Sequence, residues 1–289
     1  MNRFEALKWA ATYLATAHRD ENIGEILLES RLGLSRTDLL ANLHEPLAAA
    51  DEGWLKERVK QHVSKGTPVQ YMLGEAPFYG RSFRVTPNVL IPRPETEELV
   101  WRTGLWAERF FDKNESLRVC DIGTGSGAIA ITLALEHPSW QLTAVDLSAQ
   151  ALEVARENAA RLGAAVAFRQ GNFIDPLEGD VFDILVSNPP YITRSEMDNL
   201  DDTVKDYEPH LALFGGEDGL NPYRQIVRGL PSLFGRRRFF LALFEIGAGQ
   251  GAAVNRIIRE CHPNQIETVA VEKDLAGFDR NVVAAWRTQ

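Results

Sequence analysis

Between residues 117 and 272, short apolar runs alternate with longer segments in which apolar residues recur every three or four positions. The short runs are typical of buried strands, and the longer segments are typical of amphipathic helices. The pattern predicts strands at residues 117–122, 142–145, 166–169, 182–186, 239–246 and 267–272, the last one followed by a tail. It predicts helices at residues 128–136, 149–162, 221–233 and 251–260. Such alternation indicates an α/β fold with a doubly wound parallel sheet.

The first 75 residues lack a strand pattern and are predicted to be helical throughout. A stripe at helical spacing indicates the first helix: Phe4, Leu7, Ala11 and Leu14. Further helices are predicted at residues 21–32 and 51–65, and Ser35 followed by Asp38 indicates a capped helix between them. We expect residues 1–75 to form a small N-terminal helical domain that takes part in substrate recognition.

Residues 76–92 change in character, because aromatic and β-branched residues are punctuated there by glycine, proline and asparagine. This composition predicts a short β-hairpin that links two domains. A helix is predicted to begin with the proline and acidic residues near residue 93 and to reach about Phe111. The α/β domain is then expected to span residues 93–289.

The composition narrows the possible function classes. The chain has 289 residues, of which 45% are hydrophobic and 25% charged, as in globular proteins with a substantial core. Its net charge of −9 opposes long-range attraction to nucleic acid or to an anionic membrane, although it leaves a local basic site open. Cys120 and Cys261 are interpreted as fillers, and the histidines show no metal-ligand spacing. No apolar run approaches transmembrane length, so we expect a cytoplasmic protein without a metal site.

Candidate chemistry is concentrated at Asn188-Pro189-Pro190-Tyr191, directly after a predicted strand. Consecutive prolines prevent helix formation and further strand pairing, so Asn188 is expected at the carboxyl end of that strand, where open parallel sheets bind ligands. The Asn188 side-chain oxygen and the Pro189 carbonyl can accept both hydrogens of a planar NH2 group, while Tyr191 stacks on its face. This tetrapeptide resembles the signature of methyltransferases that modify amide or exocyclic amine nitrogens. A simple strand-ending turn is the alternative.

A glycine-rich turn joins the first predicted strand of the sheet to its helix. It comprises Asp121, Ile122, Gly123, Thr124, Gly125, Ser126 and Gly127. Glycines allow a tight turn and let a ligand approach the backbone. With Asp146 as a ribose-binding acid, the turn also fits a dinucleotide site. Two features favour S-adenosyl-L-methionine as the ligand. The Asp121 carboxylate could meet the cationic amino-acid group of this ligand, directly or through water, and Asn188 supplies hydrogen-bond acceptors.

Asn172 and Phe173 follow the third predicted strand of the sheet. This position is expected to border an adenine ring, with Phe173 as a stacking face and Asn172 as a hydrogen-bonding group. Taken alone, Phe173 fits a hydrophobic core equally well.

The sequence resembles the HemK-type protein-(glutamine-N5) methyltransferases that act on peptide chain release factors. The similar blocks extend nearly from end to end, at residues 67–71, 73–75, 78–80, 89–98, 121–130, 187–192, 207–219, 273–277 and 279–280. The most specific are Pro-Arg-Pro-Glu-Thr-Glu at residues 92–97 and Tyr-Glu-Pro at residues 207–209. The resemblance implies a seven-stranded class I (Rossmann-like) methyltransferase domain whose last strand is antiparallel. It also implies S-adenosyl-L-methionine as cofactor and a release factor, with its Gly-Gly-Gln glutamine, as substrate.

One block departs from the family. A Pro-Gly-Gly-like turn is usual before the strand at residues 239–246, whereas this chain has Arg236, Arg237 and Arg238 there. The three arginines are interpreted as a solvated turn, with contact to an RNA-associated partner as an alternative.

Four other functions remain open at this point. A related enzyme could methylate glutamine in a ribosomal protein, and a DNA adenine methyltransferase could use the same acceptors, although the acidic balance opposes it. An NAD-dependent dehydrogenase built on the glycine turn leaves the Asn-Pro-Pro-Tyr segment unexplained. A non-catalytic nucleoside-binding scaffold is the fourth alternative. For the favoured reaction we expect Asn188→Asp to be milder than Asn188→Ala, because aspartate keeps an acceptor.

Overall fold

The structure is a computed structural model that describes residues 1–113 and 115–288. The chain divides into two compact units. The first unit holds Met1–Glu75 together with Asp201–Tyr207, and the second holds Ala76–Leu200 and the chain from Glu208 onward. The predicted hairpin therefore belongs to the second unit, and a short segment counted with the α/β domain belongs to the helical one.

The first unit is helical. Its helices are α1 (Arg3–Ala15), α2 (Ile23–Leu32), α3 (Arg36–Ala41), α4 (Ala49–Lys65), α5 (Val69–Leu73) and, from the distant segment, α10 (Asp202–Lys205). Ser35 caps α3 by accepting a hydrogen bond from the Asp38 backbone N–H, as predicted. Helices α2 and α4 end at Gly33 and Gly66, which adopt the left-handed conformation that glycine permits.

The predicted stripe on α1 is partly wrong. Phe4 is 46% exposed, whereas the buried face consists of Ala6, Ala10 and Leu14. A Cβ atom built on Gly24 of α2 would lie 2.5 Å from the Ala10 Cβ. The two helices therefore approach closely through small side chains, which hydrophobicity alone does not identify.

The distant segment Asp201–Tyr207 is held in the helical unit by polar contacts. The two terminal guanidinium nitrogens of Arg19, Nη1 and Nη2, donate to the Asp202 carboxylate at 2.6 and 2.5 Å. The Tyr207 hydroxyl donates to the Lys65 carbonyl at 2.5 Å. These contacts join residues more than 100 positions apart, so local sequence patterns could not reveal them.

The second unit contains a hairpin, a large sheet and flanking helices. Its strands are β1 (Glu75–Phe78), β2 (Arg81–Arg84), β3 (Arg118–Ile122), β4 (Gln141–Asp146), β5 (Val166–Gln170), β6 (Ile184–Ser187), β7 (Phe239–Glu245), β8 (Ile266–Lys273) and β9 (Asp279–Arg287). Its helices are α6 (Pro94–Phe110), α7 (Ala128–Glu136), α8 (Ala149–Leu162), α9 (Arg194–Met197), α11 (His210–Leu213), α12 (Asn221–Gly229) and α13 (Gly251–Cys261), with 3-10 turns at Asp175–Leu177 and Leu230–Leu233. Within the described ranges, no helix is long and apolar enough to cross a membrane.

The hairpin of β1 and β2 is part of the core of this unit. Phe78 and Phe83 are almost fully buried and join the cluster that contains Leu99 of α6. The Asn158 side chain of α8 both accepts from the Arg84 backbone N–H and donates to the Arg84 carbonyl. The hairpin thus covers α6 and α8.

The large sheet has seven strands in the order β5-β4-β3-β6-β7-β9-β8. Strands β3 to β7 are parallel to one another, whereas β9 is antiparallel to both β7 and β8. This confirms the expected doubly wound, seven-stranded architecture with an antiparallel last strand. The residues that the sequence pattern assigned to a tail form β9, which inserts between β7 and β8.

The sheet order positions the site. Strands β3, β4 and β5 extend to one side of the β3–β6 boundary, and β6 and β7 extend to the other. At such a switch point the loops after the strands separate and leave a crevice at the carboxyl edge. The turns after β3, β4, β5 and β6 carry the predicted site residues, so the topology brings these distant segments to one edge.

The arginine turn lies at the opposite, amino edge, before β7. Arg237 Nε lies 2.7 Å from Asp183 Oδ1, and Arg237 also pairs with Glu115. Asp183 accepts a hydrogen bond from the Arg118 backbone N–H as well. Arg237 therefore ties together the starts of β3, β6 and β7, which corrects its interpretation as part of a solvated turn.

Candidate active site

The glycine-rich turn after β3 wraps closely beneath the end of β4. The backbone N–H groups of Gly123 and Thr124 both donate to the Val145 carbonyl, at 2.9 and 3.0 Å. Gly123 and Gly125 have φ angles of 76° and 55°, a region that side chains rarely tolerate. Gly127 has a φ angle of 83°, which favours glycine, and a Cβ atom there would also lie 2.7 Å from the Ile131 Cδ1 atom.

Asp121 lies beneath the turn and has no exposed surface. Its Oδ2 atom accepts hydrogen bonds from the Thr124 hydroxyl at 2.6 Å and the Ala130 backbone N–H at 3.2 Å. Burial raises the pKa of Asp121 to about 7 although these hydrogen bonds lower it. The carboxylate therefore braces the turn, and Asp121 is not among the residues that line the cavity described below.

Asp146 ends β4 and faces the cavity. Its Oδ2 atom accepts from the Gly125 backbone N–H at 2.8 Å, and its Oδ1 atom accepts from the Ser148 N–H at 2.9 Å. Burial raises the pKa of Asp146, and these hydrogen bonds lower it. Because each carboxylate oxygen can accept a second hydrogen bond, the group remains able to bind a pair of hydroxyls.

A cavity of about 360 Å³ opens at this edge of the sheet. This volume lies within the roughly 300–1,000 Å³ that small-molecule sites occupy. Among the predicted residues, those on its wall are Gly123, Gly125, Asp146, Asn172, Phe173, Asn188 and Pro190. The other predicted residues are not among those that line the cavity: Asp121, Thr124, Ser126, Gly127, Pro189 and Tyr191.

Several residues that the sequence analysis did not single out complete the wall. They include Asn88, Leu90, Leu211, Phe214, Asn221 and Gln225. Phe173 contributes from a backbone position with φ of 44°. Leu90, Leu211 and Phe214 fall inside the family-like blocks at residues 89–98 and 207–219.

The Asn-Pro-Pro-Tyr segment leaves β6 at Ser187, and close backbone contacts hold it in place. A Cβ atom on Gly215 would lie 2.6 Å from the Pro190 carbonyl oxygen, and one on Gly219 would lie 2.3 Å from the Tyr191 carbonyl oxygen. The Gln250 side chain donates to the same Tyr191 carbonyl at 3.0 Å. The glycines after α11 are therefore required by the shape of the loop.

Asn188 is half-buried, and its amide group has a defined environment. Its Nδ2 atom donates to the Thr96 hydroxyl at 3.2 Å. Burial raises the pKa of Glu245 to about 7, while the neighbouring Thr96 and Asn188 side chains lower it. The three side chains come from α6, β7 and the loop after β6, so they meet only in the folded chain.

The two most specific family-like blocks meet in an ion pair. Arg93 Nη2 lies 2.5 Å from Glu208 Oε1, and the Glu208 side chain is only 2% exposed. Burial raises the pKa of Glu208, and Arg93 opposes this effect. The pair joins the start of α6 to the segment that precedes α11, next to the cavity wall.

A second cavity of about 330 Å³ borders the end of α6 and the segment after α7. None of the predicted site residues lines it. In the part of the chain that the structure covers, no cluster of histidine, cysteine or acidic side chains could hold a metal ion.

Three features together define a class I methyltransferase. They are the doubly wound sheet with an antiparallel last strand, the glycine-rich turn after β3, and the Asn-Pro-Pro-Tyr segment after β6, whose Asn188 lines the same cavity as the turn. Family models match residues 103–211 as the methyltransferase small domain and residues 5–74 as the PrmC N-terminal domain. A solved methyltransferase from Pyrococcus furiosus has a TM-score of 0.52 at 17% identity, covers 73% of this chain and 90% of its own, and supports the fold alone.

Relatives of known name extend over nearly the whole chain. The release factor glutamine methyltransferase of Bacillus cereus is 46% identical over 98% of this chain and 99% of its own length. The enzyme of the same name from Bacillus subtilis is also 46% identical, over 97% of this chain and 96% of its own. The chain therefore belongs to the release factor glutamine methyltransferase family.

Proposed function

We propose that the chain transfers a methyl group from S-adenosyl-L-methionine to the side-chain amide nitrogen of the glutamine in the Gly-Gly-Gln motif of peptide chain release factors. One observation carries this proposal. Asn188 opens onto the same cavity as the glycine turn and Asp146, so an amide acceptor site and a nucleoside site share one space.

The residues on the cavity wall fit the proposed cofactor. The turn at Gly123 and Gly125 leaves room for a ligand against the backbone, and Asp146 can accept from two ribose hydroxyls. Phe173 offers an aromatic face beside Asn172. When bound, S-adenosyl-L-methionine supplies an electrophilic methyl group.

The chain would activate the glutamine by orientation. An amide nitrogen is a poor nucleophile because its lone pair is delocalised into the carbonyl. The Asn188 oxygen and the Pro189 carbonyl would accept the two N–H bonds, direct the lone pair and stabilise positive charge as it develops on nitrogen. The methylated amide then releases one proton to solvent, so no strong base is required.

The test uses labelled S-adenosyl-L-methionine with separate acceptors. We expect label on a Gly-Gly-Gln release factor and none on a matched release factor with Gly-Gly-Glu, on ribosomal protein or on DNA. Preferential labelling of ribosomal protein or DNA would replace the proposal with one of the alternatives. Failure to label any acceptor while NADH binds would favour the dehydrogenase.

We further propose that the helical unit contributes affinity for the folded release factor, in the cytoplasm where such factors act. The match of residues 5–74 to a separate family model supports an independent role. Deletion of residues 1–75 should reduce activity on the intact factor far more than on a short Gly-Gly-Gln peptide. Equal losses on both substrates would leave only a stabilising role.

A further inference from the structure

Glu245 is a buried carboxylate at the active site that the proposed reaction does not yet use. It ends β7 and is 1% exposed. In the described parts of the chain, its Oε2 atom is buried and has no hydrogen-bond partner. Burying a carboxylate is costly unless it is paired, so its place beside Asn188 needs an explanation.

The orientation of the Asn188 amide group poses a separate problem. Its oxygen and nitrogen ends have nearly the same size but opposite hydrogen-bonding character. Only the oxygen end can accept an N–H bond of the glutamine. A half-turn of the side chain would present two donors to that nitrogen and would oppose catalysis, so the site must select one orientation.

The neighbours of Asn188 select the orientation by chemistry. An ionised carboxylate accepts hydrogen bonds only, so Glu245 can pair with the Asn188 NH2 end and with the Thr96 hydroxyl hydrogen. With its hydrogen directed to Glu245, the Thr96 oxygen is free to accept from Asn188 Nδ2, as its 3.2 Å distance indicates. One hydrogen of the Asn188 amide is then engaged by Thr96, and the unpaired Glu245 Oε2 atom is available for the other.

We propose that Glu245 is a positioning residue for methyl transfer: with Thr96 it engages the NH2 end of Asn188 and so turns the Asn188 oxygen toward the glutamine amide. The inference rests on the proposed function. It predicts that an uncharged partner at position 245, which can also donate, releases Asn188 to rotate.

The proposal makes activity depend on the ionisation of Glu245. Burial raises the pKa of Glu245 to about 7, and the protonated acid could donate to the Asn188 oxygen. Charged or titratable groups face it from four elements: Glu95 of α6, Tyr191 after β6, Tyr223 of α12 and Arg280 of β9. Burial raises the pKa of Tyr191 to about 12 and holds that of Tyr223 well above its usual value, so neither tyrosine ionises near pH 7.

Two further groups need attention in the experiment. Burial alone would lower the pKa of Arg280, but its hydrogen bond to Asp274 and nearby anions raise it, so Arg280 stays charged. Burial raises the pKa of Asp121 to about 7 as well. Asp121 lies under the glycine turn, so its titration should act on cofactor affinity, and saturating cofactor separates the two effects.

The experiment measures single-turnover methyl transfer by the full chain at saturating cofactor from pH 6 to pH 8. The wild-type rate should rise with pH through about 7. Glu245→Gln should lower the rate at pH 8 by about tenfold or more and flatten this rise, with unchanged binding of S-adenosylhomocysteine. Thr96→Val should lose activity similarly, whereas Thr96→Ser, which keeps the hydroxyl, should retain it.

Glu272→Gln is the matched control. Glu272 accepts from Trp106 Nε1 at 2.9 Å and pairs with Arg102. Its variant should keep both the rate and the pH profile, with melting temperatures recorded for every variant. Glu245→Gln with wild-type rate and profile would overturn the proposal while leaving the proposed function intact.

A second measurement does not depend on turnover. The side-chain amide resonance of Asn188, assigned by its loss in Asn188→Asp, should shift with a midpoint near pH 7 in the wild type and not in Glu245→Gln. A resonance with the same titration in both proteins would overturn the positioning role. An inactive wild type with the expected titration would instead refute the proposed substrate.

Discussion

Asn188→Ala tests the chemistry most directly, because it removes the side-chain acceptor and leaves the rest of the cavity wall in place. In the wild type the Thr96 hydroxyl accepts a hydrogen bond from the Asn188 amide. In the variant Thr96 would keep its place beside Glu245. The loop would keep its shape because Gln250 still donates to the Tyr191 carbonyl. The loss should therefore fall on the chemical step.

The magnitude follows from the number of acceptors. Two acceptors are proposed for the two N–H bonds, and the Pro189 carbonyl survives the substitution. Removing one preorganised contact that strengthens in the transition state typically lowers the rate by about 10²–10³. With one acceptor left, we expect the lower end, about a hundredfold, or roughly 2.7 kcal/mol.

The assay is single-turnover methyl transfer to the release factor at saturating cofactor. Binding of S-adenosylhomocysteine should change little, because the glycine turn and Asp146 carry that task. Asn199→Ala is a matched control, since Asn199 is exposed and its side chain donates to the Ser195 carbonyl. An Asn188→Ala rate above about a tenth of wild type would refute the orienting role.

The structure also changes the expectation for Asn188→Asp. From the sequence, aspartate looked milder than alanine because it keeps an acceptor. A carboxylate at position 188 would face Glu245, and two adjacent carboxylates repel each other or share a proton. We now expect Asn188→Asp to be at least as damaging as Asn188→Ala near pH 8, by the same assay.

Three further predictions concern binding and stability. Asp146→Ala should weaken the binding of S-adenosylhomocysteine, measured by calorimetry, by about tenfold or more, because the ribose acceptor and the partner of the Gly125 N–H are both lost. An unchanged affinity would show that another residue binds the ribose. In the folded wild type the pKa of Asp121 is about 7, against a usual value of 3.8, so the folded state binds the proton more tightly than the unfolded state. The wild-type free energy of unfolding should therefore fall as the pH rises from about 4 to 7. Asp121→Asn should flatten this pH dependence. Identical denaturation profiles for Asp121→Asn and wild type would contradict that assignment. Arg93→Ala should lower the free energy of unfolding by about 2 kcal/mol, because Glu208 would remain buried without its cation, and an unchanged midpoint in urea would show that water replaces it.

Local patterns of the sequence determined much of the fold. The predicted helices at residues 128–136 and 149–162 coincide with α7 and α8, because period and end signals agree there. The Asn-Pro-Pro-Tyr segment was placed after a strand because prolines constrain their own backbone. Glycines in the turn after β3 predicted a close backbone approach for the same local reason.

Strand β9 shows what local patterns miss. Its central residues, Asn281 to Trp286, are fully buried, so they lack the alternation of polar and apolar residues that marks a half-buried strand. Their alanines also favour strands weakly. Their place between β7 and β8 depends on pairing partners elsewhere in the chain, and the expectation of a seventh strand came from family resemblance.

The active site divides in the same way. Sequence motifs identified Asn188, Asp146 and the glycine turn, whose chemistry lies within a few neighbouring residues. Only the tertiary structure placed Thr96 and Glu245 against the Asn188 amide and Asp121 beneath the turn. Hydrogen-bond partners and burial are set by which distant elements pack together, and that packing decides which end of an amide faces the substrate.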